Sequence, residues 1–438
     1  MELTIENSWW NEGGLWQDSD LNRVKNSPLS YRPIVFSPEE CQEASIYTLR
    51  GPRRVGKTIS LKLLISELIE KKGWEPKSIV WTSLDTIRNL EQMESHLLKI
   101  VQYQPKLLVI DEVTAVVGWQ RVIKKLRDSG IFLQTCMILT GSSAYDLKAG
   151  AERMAGRRGV AQNPDRILLP MTFEIFCKQC QNLPLLQSEF MKMYLKVGGF
   201  PFRVESFIKK QSTWTDFEDY QVFDDVLFYE FTRRKLDRNI ALEVVGRLSS
   251  VLTTSVSYEG FIKPLSIAKD TARKYLDALG DSFLLATFSS FDTGRGRVAP
   301  KKDRKFGWID PALGYLAAWL RQGEIAQEPV RAEWVVGTKL LSCFEARLWE
   351  GLSSPRNVFT WKSSSGNEID YLVIDKSRKF ILPVEVKYQG SISDWDFQVM
   401  ERAFHKGFLV TLDKNLERKK SAALSLDQFL LKKFIPEN

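Results

Sequence analysis

Along the chain, apolar and polar residues alternate between two periods, and the first third shows this most clearly. Short apolar runs at Ser45–Arg50 (SIYTLR), Ser78–Leu84 (SIVWTSL), Leu107–Ile110 (LLVI) and Gln134–Leu139 (QTCMIL) have the length and continuity of strands buried on both faces. Between the first two, Leu61, Leu64, Ile65, Leu68 and Ile69 recur with helical spacing. Buried strands separated by amphipathic helices predict an α/β domain with a parallel sheet. The middle of the chain, from about Asn239 to Pro311, reads helix, turn, helix, then short strands, with Phe283–Phe288 and Lys305–Ile309 as strands. Asp270 is the expected N-cap of a helix over Thr271–Leu279. In the last quarter, Phe359–Lys362, Glu368–Ile374 and Lys379–Tyr388 alternate as three successive strands. The helix Trp395–Phe404 and the strand Gly407–Leu412 follow.

The first strand runs into Gly51-Pro52-Arg53-Arg54-Val55-Gly56-Lys57-Thr58, a G-x-x-x-x-G-K-T segment that opens the helix. Glycines at both ends let the backbone wrap a phosphate chain with its N–H groups turned inward, and the helix N-terminus favours an anion. Lys57 can reach the β- and γ-phosphates, and Thr58 can offer its hydroxyl to Mg²⁺. The apolar run LLVI ends in Asp111 and Glu112. Asp111 is placed to hold the Mg²⁺, and Glu112 to polarise an attacking water, a pairing that favours ATP hydrolysis. Thr140-Gly141-Ser142-Ser143 ends the next strand, where Ser142 or Thr140 can meet the γ-phosphate or the water; the same four residues also suit a helix-capping turn. Arg157, in Ala155-Gly156-Arg157-Arg158-Gly159, is a candidate arginine for a neighbouring subunit's nucleotide.

This order of motifs, continued by Leu169-Pro170-Met171-Thr172-Phe173-Glu174 and by Tyr194–Pro201 (YLKVGGFP), resembles the archaeal and bacterial AAA+-like ATPases that carry an appended C-terminal domain. The resemblance implies ATP and Mg²⁺ as cofactors.

In the last quarter, Asp370 on one strand and Glu385 and Lys387 on the next are fifteen residues apart at the acids, a turn's length for adjacent strands. Both carboxylates then meet at one sheet edge, where they can share Mg²⁺ while Lys387 positions a water. This D…E-x-K pattern resembles the PD-(D/E)xK nuclease fold. That likeness adds Glu345, in Ser342-Cys343-Phe344-Glu345-Ala346, as a further metal ligand from the preceding helix.

The expected organisation is therefore a P-loop AAA+-like ATPase core (1–180), a helical lid or linker (181–238), a winged-helix domain (239–325) and an α/β nuclease-like domain (326–438). Composition adds constraints to this picture. With 62 Lys and Arg against 54 Asp and Glu the chain carries +8. The basic excess gathers at Arg295, Arg297, Lys301, Lys302, Arg304 and Lys305, beside the helix bearing Arg273 and Lys274. Such a loop suits nucleic-acid phosphates, DNA more than RNA, and a homo-oligomer is a further expectation. Five cysteines, an odd number, fit a reducing cytoplasm. Cys177 and Cys180 lack the partners of a zinc site and read as two residues of a packed helix. No run is long and apolar enough to span a membrane, and no signal peptide is expected. The functional expectation is ATP hydrolysis coupled to nucleic acid, with metal-dependent cleavage by the last domain. The alternative is an NTP-dependent regulatory switch that binds a nucleic acid or protein without cutting.

Overall fold

The computed structural model describes residues 2–11, 14–141, 144–154, 156–186, 188–211, 217–299, 302–344, 355–375 and 380–434. They form two compact units, 1–169 and 170–438.

The first unit is built on a five-stranded parallel sheet: β1 (Ile46–Arg50), β2 (Ile79–Ser83), β3 (Leu107–Asp111), β4 (Cys136–Thr140) and β5 (Asp165–Ile167), in the order β2-β3-β4-β1-β5. β1 lies between β4 and β5, so the chain leaves β1, crosses to the far edge and returns. Side chains alternate across the sheet. Leu107 and Val109 join the layer of the Lys57–Glu70 helix, with Leu61, Leu64, Ile65 and Leu68. Leu108 and Ile110 join the opposite layer, with Trp119 and Ile123 of the Trp119–Asp128 helix. Both faces are covered, which is why these strands read as unbroken apolar runs. The edge strand β2 is closed by the N-terminal segment. Asn7, fully buried, donates to Trp81 O (2.9 Å) and accepts from Trp81 N–H (2.6 Å), and the indoles of Trp9 and Trp10 donate to Ile79 O. An open edge would otherwise invite pairing with another chain.

The second unit opens with the helices Phe173–Cys180, Glu189–Val197, Pro201–Lys210, Phe217–Arg233 and Arg238–Val251. Cys177 and Cys180 lie on the first of these as free thiols. Short Tyr258–Ile262 and Lys269–Asp281 helices lead into an antiparallel pair, β6 (Leu285–Ser289) and β9 (Arg304–Trp308), with the small ribbon of β7 (Phe291–Asp292) and β8 (Arg297–Val298) between them. The Lys269–Asp281 helix begins two residues earlier than its sequence suggests. Ala268 occupies the cap position and Asp270 sits in the first turn, where its charge still suits the helix dipole.

The Glu328–Phe344 helix then packs on a six-stranded mixed sheet: β10 (Val358–Lys362), β11 (Glu368–Asp375), β12 (Phe380–Lys387), β13 (Gly407–Thr411), β14 (Leu416–Glu417) and β15 (Ser421–Ser425). Their order is β10-β11-β12-β13-β15-β14. β10 to β12 are antiparallel, and β12, β13 and β15 run parallel. The Asp394–Phe404 helix supplies Phe397 and Met400 to one face of this sheet.

Candidate functional site: the nucleotide loop

The turn after β1 requires its glycines. Gly51 has φ +144°, and a Cβ there would stand 2.1 Å from Leu168 O. Gly56, at φ +102°, starts the Lys57–Glu70 helix in a left-handed conformation. Between them Pro52 and Val55 are buried, Arg53 is half-buried and Arg54 is exposed with φ +62°. The loop is thus anchored by its apolar members and leaves its amides at a helix start. Thr58, half-buried, is the second residue of that helix.

Lys57 Nζ donates to Gly51 O and Pro52 O, both at 2.9 Å. The ammonium is enclosed by protein while part of the side chain stays open to solvent. That dehydration lowers its pKa to about 8, against the pull of Glu112 and Asp111. Asp111, at the tip of β3, accepts the Thr140 hydroxyl from the tip of β4 and the Glu112 N–H at 3.1 Å; burial holds its carboxyl above the usual range. Glu112 turns the chain with φ +51°, a conformation costly for a residue with a side chain. Gly141 lets Thr114 pack against this turn, because a Cβ would meet Thr114 Oγ1 at 2.6 Å.

The fold therefore gathers Lys57, Thr58, Asp111, Glu112 and Thr140 around one loop. Of the two hydroxyls considered after β4, Thr140 is on Asp111, and Ser142 lies outside the described residues. Asp85, just after β2, is an acid that sequence reasoning missed. Partial burial and the charge of Glu112 push its pKa up, and Arg53 opposes them. Arg157 holds Asp128 at the surface, Nε–Oδ1 2.7 Å, while Arg158 binds the buried Asp165 at 2.7 Å and steadies β5.

In the second unit, Asp370 on β11 and Glu385 on β12 do meet across the sheet. Asp370 N–H donates to Glu385 Oε2 at 3.2 Å, and Val386 N–H donates to Asp370 Oδ2 at 2.8 Å. Lys387 Nζ reaches Glu385 Oε1 at 2.9 Å. Glu345 lies outside the described residues. The helical acid at this cluster is Glu333, on the Glu328–Phe344 helix, and it was not foreseen.

Lys305 joins them, against expectation. Its side chain is only 4% exposed, and its Nζ lies 2.5 Å from Asp370 Oδ1 and 2.9 Å from Glu333 Oε1. Lys305 is therefore removed from the basic loop. Burial and the charge of Asp370 push Glu333 and Glu385 well above the usual carboxylate range, and the surrounding acids keep Lys305 protonated. Among the described residues no group of three or more His, Cys, Asp or Glu side chains is arranged to hold a metal ion.

The family model described as an AAA domain matches residues 43–177, the segment that holds the loop, Asp111 and Glu112. That segment is similar to AAA ATPase domains and carries the P-loop spacing. An uncharacterized protein of Haemophilus influenzae is 24% identical over 284 residues, 61% of this chain and 68% of its own length. An uncharacterized protein of Methanocaldococcus jannaschii is 24% identical over 272 residues, 56% of this chain and 57% of its own. The Walker-type ATPase of Pyrococcus abyssi is a distant structural likeness, with a TM-score of 0.39 at 12% identity over 69% of this chain and 93% of its own. Among the described residues no helix is long and apolar enough to cross a membrane.

Proposed function

We propose that the chain hydrolyses ATP at the Gly51–Thr58 loop and uses the nucleotide cycle as a switch for a nucleic-acid-binding second unit. The observation that carries the ATPase part is the convergence of Lys57, Asp111, Glu112 and Thr140 on one loop whose glycines admit close backbone approach. The donor set fits a magnesium nucleoside triphosphate. Loop amides and Lys57 would take its phosphates, and Thr58 and Asp111 its metal. Bound there, the nucleotide supplies the electrophilic γ-phosphoryl group. Glu112 accepts a proton from water, and Thr140 fixes the carboxylate of Asp111. Arg157, at the surface, is our candidate for reaching the nucleotide of a neighbouring copy in a homo-oligomer.

Nucleic acid as the partner is supported by the Tyr258 ring, which has three cations around it: Arg304 at 4.1 Å, Arg273 at 5.7 Å and Lys269 at 5.8 Å from its centroid. Arg295, Arg297 and Lys302 are exposed on the adjoining ribbon. An aromatic face with cations around it suits a phosphate backbone with a base beside it. The helices Arg238–Val251, Tyr258–Ile262 and Lys269–Asp281 with the β6–β9 pair follow the order of a winged helix, which supports that reading. The buried Lys305 favours binding without cleavage over the nuclease reading.

Lys57→Ala is expected to lose nucleotide binding, because the phosphates lose their cation. Glu112→Gln is expected to bind normally while hydrolysis falls by about 10²–10⁴-fold. Fluorescent-nucleotide titration and phosphate release measure the two. A glutamine variant that turns over at the parent rate removes Glu112 from the reaction.

A further inference from the structure

The acidic cluster of β11, β12 and the Glu328–Phe344 helix does not fit a divalent ion as folded, and the reason is specific. Asp370 spends Oδ1 on the Lys305 ammonium and Oδ2 on the Val386 amide. Glu385 spends Oε2 on the Asp370 amide and Oε1 on Lys387, and Glu333 gives Oε1 to Lys305. Three carboxylates thus face two ammonium groups. Magnesium requires near-octahedral oxygen coordination, and a lysine ammonium cannot ligate it.

Lys305 is built into this position by the fold. It is an interior residue of β9, paired with Phe288 of β6. Phe288 packs edge-on against Tyr371 of β11, with centroids 4.9 Å apart, and Tyr371 donates to Glu333 O. Two residues after Lys305, Gly307 lets β9 lie against Trp334, where a Cβ would meet Trp334 Cβ at 2.9 Å. Ser290, just after β6, bridges Thr360 of β10. The strand that carries the ammonium is thus packed on the Glu328–Phe344 helix and, through Phe288 of β6, on β11, two of the three elements that carry the acids.

We infer that Lys305 is a built-in cation occupying the place of a divalent metal at Glu333, Asp370 and Glu385, and that it closes this nuclease-like site to metal in the folded chain. The physical logic is charge neutralisation. Three partly buried carboxylates in proximity need positive charge, and a tethered ammonium supplies it at no cost in association entropy. A free divalent ion must displace a charge that cannot diffuse away. The inference deepens the binding-without-cleavage reading and is independent of the ATPase assignment, which stands or falls on Lys57 and Glu112.

The test is Mn²⁺ uptake by nucleotide-free full-length protein, followed by the electron paramagnetic resonance of the free ion and by thermal unfolding. Wild type and Asp370→Asn are expected to take up Mn²⁺ equally, because the cluster is closed in both. Lys305→Gln is expected to gain one site at least roughly tenfold tighter than any wild-type site. That site is lost again in Lys305→Gln/Asp370→Asn. The unfolding midpoint of Lys305→Gln should fall without metal and recover with Mn²⁺, while wild type stays insensitive. Should Lys305→Gln not fold, Lys305→Gln/Glu333→Gln removes one charge of each sign and takes its place. Mn²⁺ binding by wild type that Asp370→Asn abolishes would overturn the inference, as would a lysine-free variant that folds and gains no site.

Discussion

Thr140 shows how much one hydroxyl can decide. Asp111 is pushed up by burial, and its remaining donors are the Thr140 hydroxyl and the Glu112 amide. Thr140→Val keeps the shape of the side chain and removes the donor, leaving a buried carboxylate short of a partner. A loss of about 1–3 kcal/mol is expected in the stability of the nucleotide-free protein, read from urea unfolding. Magnesium-dependent nucleotide affinity should weaken with it, since Asp111 loses its orientation. An unchanged unfolding curve would mean that water replaces the hydroxyl. The candidates on the loop and at the end of β3 were legible because G-x-x-x-x-G-K-T and an apolar run ending in acids are local patterns. Asp85 and Glu333 were not legible. Each joins its cluster only through neighbours more than twenty residues away, Glu112 for Asp85 and Lys305 and Asp370 for Glu333, and a lone acid in a polar stretch carries no signal of that kind.

At the scale of elements, period-2 and period-3.6 patterns located the parallel strands, the loop helix and the D…E-x-K strand pair, with strand ends agreeing to within two residues. The β6–β9 pair is where pattern and chemistry parted. Lys301, Lys302, Arg304 and Lys305 read as one basic loop suited to phosphates; Lys301 lies outside the described residues, and the strand expected from Lys305 already begins at Arg304 and sends alternate residues to opposite faces. Lys305 turns inward to the acids, Arg304 lies over Tyr258, and Lys302 stays exposed. Replacing Arg295, Arg297 and Lys302 by glutamine should weaken binding to duplex DNA. The slope of log affinity against log salt should fall by roughly 0.9 per lost phosphate contact. A slope identical to wild type would assign these three residues to solvent.

Within the second unit as a whole, one buried carboxylate ties distant segments together. Asp310, fully buried, accepts the Gly199 amide at 2.7 Å and the Ala312 amide at 2.9 Å, while Gly199 O accepts Met171 N–H. Gly198, at φ +76°, has no room for a side chain, since a Cβ would stand 2.0 Å from Asp310 Oδ1. Burial raises the Asp310 pKa to about 7, against the two amides and the charge of Arg203. The folded state then holds a proton that the unfolded chain releases from about pH 3.8 upward. Stability from this group is full below that pH and is lost as pH rises toward 7, by up to about 1.4 kcal/mol per pH unit. Urea midpoints between about pH 4 and pH 7 should therefore fall more steeply in wild type than in Asp310→Asn, which cannot ionise. The variant sits lower at acid pH because its amide cannot accept from both backbone donors. Equal slopes would mean that Asp310 stays ionised when folded.

The sequence by itself determined the nucleotide loop, the acids that end β3, the parallel α/β core and the pairing of Asp370 with Glu385, because each is written in adjacent residues or in a strand-to-strand spacing. Tertiary structure alone decided the closure of the β2 edge by Asn7, Trp9 and Trp10, the anchoring of Gly199 by Asp310, and the Lys305 ammonium between Glu333 and Asp370. In each case the partners lie 28 to 111 residues apart. What joins them is the fate of a buried polar group, which must find its hydrogen bond or its counter-charge wherever the packed chain brings one.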